Sequence, residues 1–206
     1  MLKAKIAVFV SGGGTNLQAI IDSEKRGELQ HCELSLVVSS KPGAYATVRA
    51  KENNIPFVEI NIKDFQDRKD FENEVLKKLH EYNIDIIVFA GFMYILSAEF
   101  VSEYENRIIN VHPALIPSFC GDGFYGLKVH KAVLDYGVKI TGATVHYVNS
   151  ITDGGKIILQ KAIEVHDNDT PVSLQQRVMC EAEWVILPQA CELVAQQIIE
   201  SRNNIK

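Results

Sequence analysis

The sequence predicts an α/β fold: a doubly wound, mostly parallel sheet with helices on both faces, then an antiparallel hairpin and a long terminal helix. Three observations carry that prediction. Continuous apolar runs such as Ile6-Ala7-Val8-Phe9-Val10 and Ile86-Ile87-Val88-Phe89-Ala90 recur along the chain, the pattern of strands buried on both faces. Segments with apolar residues every three or four positions separate those runs, giving the βαβ rhythm of a parallel sheet. The last third breaks that rhythm with two strand-like stretches joined by a turn too short for a crossover.

Each element follows in order. Residues 6–10 form the first strand and end at the glycine turn 12–14, after which Leu17, Ile20 and Ile21 keep helical spacing. Residues 34–38 form a second strand, stopped by the turn signal Ser39-Ser40-Lys41-Pro42-Gly43. A short helix over 45–53 precedes a third strand at 56–60. Phe71, Val75, Leu76 and Leu79 place a helix over 67–82, with charges on its other face. Residues 85–90 and 107–111 form the next strands, and Ser97 between them is a candidate N-cap for a short helix. The hairpin comprises 141–148 and 156–165, joined through Thr152-Asp153-Gly154-Gly155. A helix over 173–200 closes the chain, kinked or broken ahead of Pro188.

Composition bounds the function. A length of 206 residues without linker, repeat or low-complexity tract predicts one domain, large enough to hold a full core. The net charge of −5 argues against general nucleic-acid binding, which needs a basic face. No apolar run approaches the roughly 20 residues of a membrane span, and the N-terminal apolar run flows into a glycine turn rather than a signal-peptide cleavage site. Cys32, Cys120, Cys180 and Cys191 show no CxxC pairing and no regular spacing with histidine, so no metal is expected. Cys180 and Cys191 fall on nearly the same face of the predicted helix but too far apart along it to bond. Reduced thiols fit a cytoplasmic protein.

Two clusters carry chemistry. Ser11-Gly12-Gly13-Gly14-Thr15-Asn16 lies at the carboxyl end of a buried strand and opens a helix, where free N–H groups suit an anion. A tight turn with Thr15 or Asn16 as a simple N-cap is the alternative. The dinucleotide fingerprint lacks its third glycine, no acidic residue follows the second strand, and no Gly-Lys-Ser/Thr is present; a phosphomonoester fits better. In the second cluster, Asn110 and His112 alternate along one strand and so project to one side. Asparagine donates to a developing oxyanion and histidine moves protons near neutral pH, the pair needed when an amine attacks a carbonyl. Asp153, brought near by the fold, would orient the imidazole and favour its charged form. Ordinary strand-end and turn roles for all three remain open at this point.

Four motifs in order carry a resemblance that runs nearly end to end: residues 11–21, beginning Ser11-Gly12-Gly13-Gly14-Thr15-Asn16; Ala90-Gly91-Phe92-Met93-Tyr94-Ile95-Leu96; Asn110-Val111-His112-Pro113 with the following Ala114-Leu115-Ile116-Pro117-Ser118-Phe119; and Thr152-Asp153-Gly154-Gly155. The chain resembles the glycinamide ribonucleotide (phosphoribosylglycinamide) formyltransferases, folate-dependent enzymes of de novo purine synthesis with a Rossmann-like core. The resemblance implies transfer of a formyl group from 10-formyltetrahydrofolate to the amine of glycinamide ribonucleotide. It further implies Asn110, His112 and Asp153 as the catalytic triad, and Gly13, Gly14, Thr15 and Asn16 as the phosphate loop. Glu183 would contact the ribonucleotide. Phe92, Met93, Tyr94, Ile95 and Leu96, with Asn110 and Arg68, would face the folate.

Tyr94 stands where many members carry arginine, and Lys128 where some carry histidine. The glycine-rich stretch 120–128 reads as a mobile loop beside the site. By this resemblance, residues 1–110 form a nucleotide- and phosphate-binding half and 111–206 a folate-binding and catalytic half, with small molecules as partners and a monomer or homodimer as the assembly. The length fits the formyltransferase core alone. It leaves no room for the N-terminal regulatory domain of formyltetrahydrofolate hydrolase or the C-terminal RNA-binding domain of methionyl-tRNA formyltransferase. A non-catalytic phosphate-binding module is the remaining alternative.

Overall fold

The computed structural model describes residues 3–204; Met1, Leu2, Ile205 and Lys206, the ends of the expected single unit, lie outside the described residues. Seven strands form one sheet in the order β3-β2-β1-β4-β5-β6-β7. They are β1 (Ala4–Val10), β2 (Cys32–Ser39), β3 (Phe57–Glu59), β4 (Ile86–Phe89), β5 (Ile108–His112), β6 (Ile140–Tyr147) and β7 (Ile157–Glu164). Strands β1 to β5 pair in parallel, whereas β6 runs antiparallel to both β5 and β7. The predicted hairpin therefore extends the main sheet beyond β5 rather than standing apart from it.

Alternation along the central strands divides the core. Ile6, Val8 and Val10 face one layer, formed by α1 (Thr15–Lys25), α6 (Pro171–Val178) and α7 (Trp184–Asn204). Ala7 and Phe9 face the other, where α3 (Arg68–Glu81) lays Phe71, Val75 and Leu79 on the sheet and α4 (Ala98–Glu103) adds Phe100. Two predicted helix starts have their chemistry in place. Asp67 caps α3 by accepting from the Asp70 N–H, and Ser97 caps α4 by accepting from the Phe100 N–H. Helix α2 (Tyr45–Glu52) completes the first half.

Two features differ from expectation. The expected elements do not include α5 (Leu127–Tyr136), whose buried Val129, His130 and Val133 pack inward and whose end is set by Gly137 in the left-handed region. Lys128 thus sits in a helical first turn, its ammonium on the Tyr125 hydroxyl at 2.7 Å. The closing helix also begins earlier, at Pro171, and its expected break ahead of Pro188 is a wide, π-helical turn, Met179–Glu183, after which α7 continues through Pro188. Proline has no N–H to give the carbonyl of Trp184, four residues back, and the wide turn ends just before that residue. The wide turn changes the phase of the helix. Cys180 is exposed while Cys191 is buried, and the two do not share a face.

Glycine is required at two points that frame the site. Gly14 has φ +70°, and a Cβ there would lie 2.7 Å from the Cβ of Ala46. Gly155 lies so close to β6 that a Cβ would sit 1.7 Å from the Tyr147 carbonyl oxygen, which lets the turn carrying Asp153 fold tightly against the sheet.

Candidate active site

The strand order reverses at β1 and β4, and the segments leaving the carboxyl ends of β1, β4 and β5 converge there, where open α/β sheets bind ligands. A cavity of about 620 Å³ opens at this point. Its walls come from Asn16, the segment 91–95, residues 110–113, the loop 121–126 with His130, Thr152 and Asp153, and Gln175, Met179 and Glu183. Both halves of the chain thus contribute to one cavity.

The polar floor is built on β5 and its antiparallel neighbour. Register places Asn110 opposite His146 and His112 opposite Thr144. His146 is buried; its Nδ1–H donates to the Tyr147 carbonyl at 2.8 Å, so its Nε2 accepts from the Asn110 amide at 3.2 Å. That bond fixes the carboxamide and leaves its second N–H for a ligand. The Asp153 carboxylate comes within 3.5 Å of His112 Nδ1 and 3.6 Å of His146 Nε2, and its Oδ2 accepts the Gly121 N–H at 2.9 Å. Histidine 112 Nε2 donates to the Phe119 carbonyl at 2.8 Å. The loop after β5 therefore holds both members of the His112–Asp153 pair through its backbone.

Two effects oppose each other at His112. Asp153 pulls the His112 pKa upward, but burial is the larger effect and leaves it below the ordinary 6.5. Asp153 itself stays below the usual carboxylate value: burial pushes it up, and this is outweighed by His146, the Gly121 N–H and the charge of His112. His112 is oriented by the Phe119 carbonyl on Nε2 and by Asp153 facing Nδ1, and burial makes its charged form easier to deprotonate than usual.

At the other end of the cavity, α1 starts at Gly14 with no side chain capping its first N–H groups, so the simple Thr15 or Asn16 N-cap is not formed. A Cβ at Gly12 or Gly13 would meet nothing within 4 Å. The backbone there is open to a ligand. Arg49 steadies the loop from α2, donating to the Gly13 carbonyl and to the Gln18 side chain, both at 2.9 Å. Asn16 points inward. Its Nδ2 donates to Glu183 at 2.6 Å, while its Oδ1 is buried with no hydrogen-bond partner among the described residues. Burial raises the Glu183 pKa, and the Asn16 bond only partly offsets that. Thr15 turns to a separate cleft beside Gln18 and Trp184.

The wall at 91–95 is aromatic inside and apolar outside. Phe92 packs against Phe9 and Phe89, Tyr94 against Phe92 and Phe71, and Met93 and Ile95 are exposed. Leu96 and Arg68 do not line the cavity: Leu96 is buried in the core against α3 and α4, and Arg68 donates to the Ile95 carbonyl from behind the wall.

A family profile described as formyl transferase matches residues 4–191. The chain belongs to the formyl transferase family. Family members of known structure share the whole architecture: a glycinamide ribonucleotide transformylase from Symbiobacterium toebii superposes with a TM-score of 0.88 at 34% identity, covering 95% of this chain and 89% of that one. A phosphoribosylglycinamide formyltransferase from Coxiella burnetii gives 0.86 at 37%, covering 95% and 88%. Among curated formyl transferase relatives, the chicken trifunctional purine biosynthetic protein adenosine-3 is 42% identical over 96% of this chain, and the chloroplastic phosphoribosylglycinamide formyltransferase of Arabidopsis thaliana is 39% identical over 87%. The chain spans 19% of the length of the former and 61% of the latter.

Three parts of the candidate site of this formyl transferase family member escape sequence reasoning. His146 sits in an apolar strand where only the β5–β6 register reveals it. Arg49 acts from a helix with no motif of its own. His130 belongs to α5, whose signal was present in the spacing of Val129 and Val133 and in Gly137.

Proposed function

We propose that the protein transfers a formyl group from 10-formyltetrahydrofolate to the primary amine of glycinamide ribonucleotide, a step of purine biosynthesis. One observation carries the reading: Asn110, His112 and Asp153 line one cavity with Asn16, in the first turn of the uncapped α1, and with the aromatic wall. The relatives named as phosphoribosylglycinamide formyltransferases support the choice of substrate.

In this reading the N–H groups of Gly13, Gly14, Thr15 and Asn16 hold the 5′-phosphate, as a helix start suits an anion in a chain of net negative charge. The unpaired Oδ1 of Asn16 and the Glu183 carboxyl accept N–H or O–H groups of the ribonucleotide. Phe92, Met93, Tyr94 and Ile95 offer a flat apolar face and backbone polar edges that suit a pterin, with Leu96 and Arg68 supporting that wall from behind. The folate supplies the activated formyl carbon; no metal takes part.

The free N–H of Asn110 donates to the formyl oxygen as charge develops there. A carbon–nitrogen bond forms to the amine, and the bond from the formyl carbon to the folate nitrogen breaks. His112, neutral in the resting site with Nε2–H on the Phe119 carbonyl, takes the proton that the amine loses on Nδ1, the nitrogen beside Asp153. Its imidazolium, more acidic than usual because it is buried, returns that proton to the departing nitrogen directly or through water held by Asp153. No proton is gained or lost overall. We further infer that the protein works on small molecules in the cytoplasm, as a monomer or homodimer.

The test follows folate product spectroscopically with and without glycinamide ribonucleotide. Product only with the amine supports the transferase; product without it identifies a hydrolase; none in either case leaves a binding module and refutes the proposal.

A further inference from the structure

Helix α3 buries an apolar stripe, and one carboxylate interrupts it. Glu72 is only 6% exposed, next to Phe71 and one turn before Val75. Its Oε1 accepts from Arg68 Nε at 2.9 Å and from the Ser97 N–H at 2.7 Å, and its Oε2 accepts from the Ser97 hydroxyl at 2.5 Å. Arg68, held in this way, donates to the Ile95 carbonyl. Ser97 in turn caps α4. A single buried carboxylate thus joins α3, the start of α4 and the end of the segment 91–97.

That segment has no helix or strand of its own, so its shape depends on such attachments. Near its start, Phe92 packs on Phe9 and Phe89, and the Met93 N–H donates to Ser11 Oγ at 3.1 Å. Near its end the side chain of Ile95 is 71% exposed and anchors nothing. Leu96 packs into the core here, and the hydrogen bonds that tie this end, at the Ile95 carbonyl and Ser97, both lead to Glu72. A leucine at 72 would pack α3 against the sheet without the cost of burying a charge. The carboxylate instead fixes a direction, that of the wall facing the cavity.

We propose that Glu72 is a positioning residue for the folate side of the site: it clamps the segment 91–97 onto α3 and so sets the placement of Phe92, Met93, Tyr94 and Ile95 toward a planar heteroaromatic ligand. The proposal rests on the formyl-transfer reading for the identity of that ligand. It predicts a selective defect, because Asn110 and His112 stand on β5 and the glycine loop follows β1, neither of which Glu72 touches.

The experiment measures KM for 10-formyltetrahydrofolate, KM for glycinamide ribonucleotide, kcat and backbone amide exchange in the wild type, Glu72→Leu, Glu72→Gln and Ser97→Ala. Glu72→Leu is expected to raise the folate KM about tenfold, the loss of roughly one charge-assisted hydrogen bond. Both kcat and the ribonucleotide KM stay within twofold, and exchange at 91–97 quickens. Glu72→Gln, which can still accept from Ser97, is intermediate. Ser97→Ala reproduces the direction even if Glu72→Leu folds poorly. An unchanged folate KM in all three variants overturns the clamp, as does an equal change in both KM values and kcat. A wild type that forms no product refutes the formyl-transfer reading instead, and amide exchange at 91–97 still decides whether Glu72 holds the wall.

Discussion

Acid exposes the cost of burying His130. The side chain is fully buried on α5, and neither ring nitrogen has a hydrogen-bond partner among the described residues. Burial, with a smaller repulsion from His112, lowers its pKa from 6.5 to about 4. The folded protein therefore binds this proton more weakly than the unfolded chain does. The sign follows: stability is complete above the unfolded value near 6.5 and is lost as the pH falls toward 4. The full shift is equivalent to about 3 kcal/mol, of which about 2 kcal/mol is already lost at pH 5. His130→Leu removes the titrating group and keeps an apolar side chain in its place. Urea unfolding of both proteins at pH 8 and pH 5 isolates the contribution, since the other histidines are common to both. The wild type should lose about 2 kcal/mol more than the variant on acidification. Equal losses would refute the reasoning, as would an NMR titration of the His130 ring with a midpoint near 6.5.

The remaining predictions concern the site and its frame. Asn110→Ala and His112→Ala should each lower kcat by about 10²–10³ with unchanged circular dichroism, and a His112→Ala enzyme retaining more than about a tenth of wild-type kcat would refute the mechanism. Asp153→Asn can still accept the Gly121 N–H, so the loop should stay in place. The lost charge should lower kcat about 10²-fold and move the His112 limb of the kcat/KM profile to lower pH, because Asp153 is what raises that pKa. A limb that stays where it was, or moves up, would show that the two groups do not interact. Gly14→Ala forces a Cβ against Ala46 at positive φ and should cost roughly 2 kcal/mol or more in a denaturant titration, whatever the ligand.

Much of the fold was legible because its signals are local. Strands buried on both faces show as apolar runs, so β1, β2, β4 and β5 lie within a residue or two of their predicted bounds. The caps at Asp67 and Ser97 need only a side chain that reaches the N–H three residues on. What failed depends on geometry that a periodicity does not encode. Pro188 announces an irregularity ahead of it, but not that it takes the form of a wide turn at Met179–Glu183, which changes the helix phase between Cys180 and Cys191. The balance at His112 lies beyond a motif for a related reason. A neighbouring aspartate is a motif-level fact, whereas burial is a sum over every element packed around the ring, and here burial is the larger effect.

The site itself sits where the two kinds of strand pairing meet, and this explains which of its residues motifs could find. Strand β5 is parallel to β4 on one side and antiparallel to β6 on the other. On the parallel side its neighbour offers Phe89, part of the aromatic packing behind Phe92. On the antiparallel side the hairpin folds back. That brings His146 opposite Asn110 and, through the turn that Gly155 allows, swings Asp153 over His112. A shift of one residue in that register would turn His146 to the opposite face and leave the Asn110 amide without its acceptor. The bulge between Val145 and His146 in the β6–β7 ladder lies at this place, where β6 changes its pairing partner by one residue while keeping His146 aimed at Asn110. Asn110, His112 and Asp153 are therefore not three independent catalytic residues: the β5–β6 register and the Gly155 contact position them as a unit. Lengthening the β6–β7 turn by one residue should consequently depress kcat about as much as removing His112, with both KM values little changed. An enzyme that tolerated the insertion would show that the floor does not depend on this register.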